Sequence, residues 1–295
     1  SEAAEIMNEG RELDLQDRFI NSKATKYYLR ANEVDKAIDT ITLFTKVEDD
    51  AVNGCKDLHV TQVNWVLLES AVAYSRLADL FESKRREIAA KEKDGGDNDQ
   101  FAAELTELSE NIDLYKGLAL KRFHAVVKVF EIFYNDQLDF HSYCTRKGTP
   151  RDYLEMIRWE DRLHATPIYS RAIKGLAKLY LAIYDEQKLQ QQKLGAEVAS
   201  TGNKKKDQKK HKKEKAQEMK KKEKLISKVK SEENDNDPLG SELLSGLRSN
   251  LEGTVLSRLG DLVAPLVKEA PTFANTWQLA FELYIREKKY VLALS

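Results

Sequence analysis

Apolar side chains return every three to four residues along most of this chain, and nowhere do they keep the alternation that a half-buried strand requires. Tyr169, Ala172, Leu176, Leu179 and Ile183 follow i, i+3, i+7, i+10 and i+14, so one face of that helix must pack on a neighbour. Upstream, Ile20, Ala24, Tyr27 and Ala31 form one stripe. Past a polar corner at Asn32 and Glu33, Val34, Ala37, Ile38, Ile41 and Phe44 form another. The spacing predicts two antiparallel helices there and a further helix over 62–80 carrying Trp65, Leu68 and Val72. Over 114–134, Leu120, Phe123, Val127, Phe130 and Tyr134 share the helix with a second stripe of Val126, Val129 and Phe133. A helix apolar on two sides belongs in the middle of a stack. Thr149-Pro150 and Thr166-Pro167 each read as N-cap followed by N1, where proline loses no hydrogen bond; they open helices over 150–163 and 167–184.

Helix pairs of this length, with small residues at the crossings and Tyr or Phe outside them, are the pattern of tetratricopeptide-like repeats. The expected fold class is therefore all-α: a tetratricopeptide-like helical repeat superhelix (α-solenoid) with a basic helical arm and a C-terminal helical module. Residues 17–46 make one repeat, and Trp65, Leu68 and Tyr74 join Gly117, Ala119 and Phe123 in a second. Between the two helices of this second repeat intrudes a segment, about 81–111, whose halves flank a Gly95–Asp99 turn; a protruding helical hairpin is favoured over an unstructured loop. The repeat body spans 1–184, a linker 185–238, and the last module 239–295, whose final amphipathic helix carries Trp277, Phe281, Tyr284 and Val291.

Charge singles out the linker. The net charge of -1 conceals twelve lysines against four acids between Asn203 and Lys224. This arm, 204–230, has the residues of a long exposed helix that forms when docked, and the acidic stretch 231–238 is expected to be disordered. Lys204, Lys205, Lys206, Lys209, Lys210, Lys212 and Lys213 suit salt-dependent contact with a phosphate backbone, without interleaved aromatics for base stacking. Nuclear import or simple solubilisation stays open for the same run. Lys23, Lys26 and Arg30 stand at i, i+3 and i+7, a cationic stripe suited to a highly charged phosphate ligand. Arg146, Lys147 and Arg151 cluster at a helix start, where free N–H groups also favour an anion. Ordinary solvated surface is the alternative for either cluster.

Catalytic patterns are wanting. No Gly-rich phosphate loop occurs, and His141 and Cys144, three apart, have no further Cys or His close in sequence to complete a metal set; both read as packed. Two cysteines cannot supply a disulfide framework, which suits a reducing compartment. No stretch reads as a membrane span or a secretory signal, so no membrane partner is expected. A helix is already under way at Ser1 without an initiator Met, which raises the expectation of a longer parent chain.

The segments DRFINSKATKYYLRANEVDKA (Asp17 to Ala37), DQLDFHSYCTRKGTPRDYLEMIRWEDRL (Asp136 to Leu163), the lysine run and FELYIREKKYVLAL (Phe281 to Leu294) resemble, in this order, the C-terminal part of the large auxiliary subunits of the N-terminal acetyltransferase A complex. The resemblance is weak over 81–111, where this chain carries extra residues. It implies a non-catalytic superhelix wrapping a GNAT-type catalytic subunit, with no acetyl-CoA site of its own. It further implies ribosome attachment for co-translational N-terminal acetylation, with ribosomal RNA as the arm's target, and contacts with a second acetyltransferase and a small regulatory protein. Inositol hexakisphosphate near the catalytic subunit is implied as well, for which the two basic clusters are the candidate ligands. Localisation is then cytoplasmic and ribosome-associated, with some nuclear presence. Tyr153 and Trp159 are the candidate partner contacts, core packing being weighed above contact for both. A generic adaptor of the same fold with an RNA-binding or import arm is the competing reading.

Overall fold

The computed structural model describes residues 1–46, 51–93, 98–198, 236–249 and 252–294, and every regular element among them is helical. In order these are α1 (Glu2–Leu13), α2 (Arg18–Arg30), α3 (Val34–Thr42), α4 (Ala51–Val60), α5 (Asn64–Lys93), α6 (Asn98–Lys147), α7 (Pro150–Glu160), a 3-10 turn (Leu163–Ala165), α8 (Pro167–Val198), α9 (Ser241–Ser249), α10 (Glu252–Glu269), α11 (Ala274–Arg286) and α12 (Tyr290–Leu294). Successive helices pack in pairs, as in a tetratricopeptide-like solenoid: α1 on α2, α2 on α3, α5 on α6, α10 on α11.

One corner recurs. Asn32, Gln62, Gly148 and Lys288 each take the left-handed conformation with φ between 55 and 64°. In each case the next N–H reaches back five residues to a carbonyl: Glu33 to Tyr28, Val63 to Leu58, Thr149 to Cys144, Lys289 to Tyr284. This bond closes the last helical turn and satisfies a carbonyl that would otherwise be orphaned. Four helices thus end on the same device.

The buried face of α2 is Asn21, Ala24, Thr25, Tyr28 and Leu29, one residue on from the apolar stripe. Asn21 takes the inward position with its Nδ2 donating to the Thr40 carbonyl of α3 at 2.9 Å, a bond that offsets part of the burial cost while its Oδ1 stays without a partner. Asp17 starts the helix by accepting from the N–H groups of Phe19 and Ile20. At α7 and α8 the prolines stand at the helix starts as expected, but the threonine caps are not made. Thr149 and Thr166 each bury an unbonded Oγ1, their turns being fixed by proline and packing instead.

Through 81–93 and 98–111 the chain is continuous with α5 and α6, so the protruding hairpin is the outer length of two long helices. Residues 94–97 lie outside the described set. Phe81 and Tyr74 stack on Tyr115 near the base of this pair, with Ile112 buried beside them. Helix α6 is central: α5, α8 and α9 all pack on it, burying Leu118, Leu120, Phe123, Val126, Val127 and Phe130. Residues 239–283 pack onto this core through Leu239, Leu244, Leu247, Val255, Leu259 and Leu266. Helix α8 continues past Tyr184 to Val198 and receives α9 and α10.

The return from the linker is anchored. Gly240, at φ +67°, lies against Gly117 of α6, and a Cβ at Gly117 would stand 2.5 Å from the Leu239 carbonyl. Asp237 accepts from the N–H groups of Glu242 and Leu243 at the start of α9, and Lys121 donates to the Pro238 carbonyl. Asp237 and Pro238 are therefore placed, contrary to the expected disorder up to 238. Residues 199–235, with the lysine arm, lie outside the described set.

Candidate partner and anion-binding surfaces

The α2 cations are each seated over an aromatic ring. Lys23 Nζ lies 5.0 Å from the Phe19 centroid, Lys26 Nζ 4.7 Å from Trp65, and the Arg30 guanidinium 5.5 Å from Tyr27. Ring faces attract the cations but leave their charge unneutralised. Among the described residues none of the three has a carboxylate partner, so the stripe presents net positive charge beside the α2–α5 contact. Arg146 and Lys147 close α6, and Arg151 opens α7, highly exposed and 3.7 Å from Glu155. The structure sets these two clusters on separate elements, the first on α2 and the second across the α6–α7 corner.

Among the described side chains of α7, only Met156 is buried. Tyr153 packs edge-on against the His141 ring at 5.4 Å, whereas Trp159 is 48% exposed beside Leu154 and Ile157, so core packing does not account for Trp159. Cys144 is buried and His141 lies 3.8 Å from Glu160, an arrangement that pairs neither with the other. The other cysteine, Cys55, is sealed in the core, where Arg122 donates to its Sγ at 3.0 Å and also contacts His59. Burial pushes that thiol up, but the Arg122 charge and the His59 and Arg122 hydrogen bonds outweigh it and hold it below its usual range. Among the described residues no group of three or more acidic, His or Cys side chains could hold a metal, and no helix is long and apolar enough to cross a membrane. Lys204, Lys205, Lys206, Lys209, Lys210, Lys212 and Lys213 lie outside the described residues.

Two surfaces went unseen in the sequence. Helix α11 turns Thr276, Leu279, Ala280 and Leu283 inward, leaving Trp277 and Phe281 each 46% exposed in line with Phe273 and Ile285. The aromatic residues assigned to the final amphipathic helix are thus largely its outer face, and that helix is two, broken at Lys288. A groove of about 500 Å³ also opens between α5, α8 and α11, lined among others by Arg76, Arg171, Lys174, Lys178 and Phe123. Arg171, Lys174 and Lys178 repeat the i, i+3, i+7 spacing of Lys23, Lys26 and Arg30, a signal available in the sequence.

Comparison with known proteins gives a consistent result. Residues 1–102 and 111–295 match the model of the family described as N-terminal acetyltransferase A, auxiliary subunit; the gap falls in the outer α5–α6 pair. The chain is 33% identical over 301 residues to the N-terminal acetyltransferase A complex auxiliary subunit NAA15 of Arabidopsis thaliana, covering 99% of this chain and 28% of that protein. It is 30% identical over 306 residues to the human NatA auxiliary subunit N-alpha-acetyltransferase 16, covering 99% of this chain and 31% of that one. Among solved structures, one of Naa15/Naa10 bound to HypK-THB matches with a TM-score of 0.63 and 31% identity over 99% of this chain and 31% of the other. The chain therefore spans about a third of the length of the relatives it matches.

Proposed function

Because the chain belongs to the family of N-terminal acetyltransferase A auxiliary subunits, we propose that it is a non-catalytic scaffold segment that binds and positions a GNAT-type catalytic subunit for protein N-terminal acetylation. The observation that carries this is the family match over nearly the whole described solenoid, supported by a related solved structure that holds Naa10 beside Naa15. Physically, a stack of helix pairs offers an extended surface, and the exposed aromatics of α7 and α11 are the kind of anchors that dominate binding energy. Trp159 is the partner contact of choice on α7, with Tyr153, packed on His141, as the second candidate. The chain alone should transfer no acetyl group to a peptide amine, while a co-expressed GNAT-type subunit should co-purify with it and be active. Turnover by the chain alone, or failure to retain any such subunit, overturns the reading.

The proposal extends to two anions. Inositol hexakisphosphate is assigned to the α2 stripe of Lys23, Lys26 and Arg30, whose cations lack carboxylate partners among the described residues, with Arg146, Lys147 and Arg151 as the second cluster. Ribosomal RNA is assigned to the arm, whose lysine density gives salt-dependent phosphate contact without sequence readout. A cytoplasmic, ribosome-associated location follows from the second assignment.

A further inference from the structure

We propose that the groove between α5, α8 and α11 docks an acidic peptide segment of a partner protein, which sets a carboxylate between Arg76 and Lys174 and lays an adjacent bulky apolar side chain on the groove floor. Helices α5 and α8 run in the same direction here, because Glu69 pairs with Arg171 at 2.8 Å and, further along both helices, Asp79 pairs with Lys178. These two ion pairs neutralise Arg171 and Lys178, two of the cations that line the groove. Between them, Arg76 donates to the Asn32 side-chain oxygen at 2.9 Å and to the Leu29 carbonyl at 2.6 Å, and Lys174 donates to the Asn275 side-chain oxygen at 3.3 Å. All three acceptors are neutral. Glu282, on the α11 wall, is held by Arg286 at 2.5 Å. The middle of the groove thus presents two cations that make no ion pair among the described residues, although the Glu69 charge reaches Arg76. Burial also disfavours the charged form of Arg76, a cost that an incoming carboxylate would offset.

The floor decides the class of ligand. Val72, Phe123, Leu181 and Leu279 line it, and the Phe123 ring lies so close to Gly175 that any side chain there would collide with it. The bare backbone at 175 makes room for the Phe123 ring in this apolar floor. Two cations suffice for one carboxylate but not for a polyphosphate, and an apolar floor adds nothing for a free inorganic anion. A carboxylate beside a large apolar side chain satisfies both halves of the site.

The test is fluorescence anisotropy on the 295-residue chain with a labelled peptide alternating Glu or Asp with Leu and Phe, against its Gln and Asn isostere and its Ala-for-Leu/Phe version. The acidic amphipathic peptide should bind, with both control peptides at least about tenfold weaker. Lys174→Glu, at an exposed position that leaves the packing intact, should weaken binding at least about tenfold. Lys188→Glu, on the same helix outside the groove, should not. An undetectable interaction, equal affinity for the isostere, or unchanged binding to Lys174→Glu overturns the proposal. Full displacement by low-millimolar inorganic phosphate overturns it in favour of a phosphate site. Retention of a GNAT-type subunit by Lys174→Glu is scored separately, so the groove can fail while the scaffold reading stands.

Discussion

Lys116 tests whether charge inside the solenoid holds its parts together. It sits mid-way along α6, 3% exposed, with Nζ 2.7 Å from Glu82 of α5 and 2.6 Å from Glu186 of α8. Replacing it by Met keeps the apolar stem and removes the ammonium, leaving two carboxylates facing each other. Breaking a buried ion pair by deleting one partner costs about 3–5 kcal/mol. Here the lower end applies, because Glu186 is 38% exposed and each carboxylate keeps a second cation, Arg86 at 3.3 Å from Glu82 and Arg248 at 3.9 Å from Glu186. A loss of about 3 kcal/mol should lower the melting temperature by roughly 5 °C at this chain length. Thermal melts of Lys116→Met, Glu82→Gln and the double variant form the cycle. In the Lys116→Met background, Glu82→Gln should recover at least about 1 kcal/mol, since it removes the stranded charge. A melting temperature within about 1 °C of wild type, or strictly additive effects, would refute the reasoning.

Gly240→Ala should cost about 2 kcal/mol or more in a denaturant titration, from left-handed strain plus contact with the Gly117 backbone, whereas Gly246→Ala, in an open helical position, should be neutral or slightly stabilising. His124 is pushed down to about 4 by burial and secondarily by the Arg258 charge, below its ordinary value of 6.5. The unfolded chain therefore takes up this proton first; the stabilisation is complete above pH 6.5 and is lost as pH falls from there to about 4, on the order of 2–3 kcal/mol, a slope that His124→Gln should remove. Reversing Lys23 and Lys26 together to Glu should reduce inositol hexakisphosphate affinity of the assembled complex at least about tenfold by calorimetry; equal affinities would reject these ligands. Reversing Lys204, Lys205, Lys206, Lys209 and Lys210 to Glu should release the chain from ribosomes in a salt-series co-sedimentation while its catalytic partner stays bound, and unchanged sedimentation would reject the arm as the ribosome contact.

Helix existence was legible wherever an apolar stripe ran for three turns, as at Tyr169 to Ile183, because periodicity alone settles it. Helix α4 was not. Its sequence, AVNGCKDLHV, has no sustained stripe and carries a glycine inside, which lowers helix propensity. Gly54 is there for a tertiary reason: a Cβ at that position would stand 2.7 Å from the Thr42 Cβ of α3. The inward turn of Asn21 and the burial of Arg122 depend likewise on partners far along the chain, the Thr40 carbonyl and Cys55. The exposed face of α11 shows the converse. Trp277 and Phe281 are as apolar as the residues opposite them, and only the position of α10 determines which set is covered. Candidate cations were legible by spacing, but which remain unneutralised depends on pairs such as Glu69 with Arg171, about a hundred residues apart.

The anchoring at Gly240 gives the lysine arm a mechanical relation to the rest of the molecule. The chain leaves the body through α8 and returns onto α6, where the Gly117–Gly240 approach, the Lys121 bond to Pro238 and the Asp237 cap fix the returning end. Just beyond, Arg248 binds Asp113 bidentately at 2.6 and 2.7 Å, and Gln187 of α8 donates to the Leu247 carbonyl at the end of α9. The returning foot of the arm is therefore fixed to α6 and α8, the two helices that meet at Lys116, and α8 is also a wall of the cationic groove. An arm held on a phosphate surface would hold these helices near that surface, raising the effective concentration of anything docked on them without any direct contact between the two sites. Loosening the foot by Gly240→Ala should thus weaken this coupling while leaving the arm's own salt-dependent affinity unchanged, because the lysines that supply that affinity are untouched.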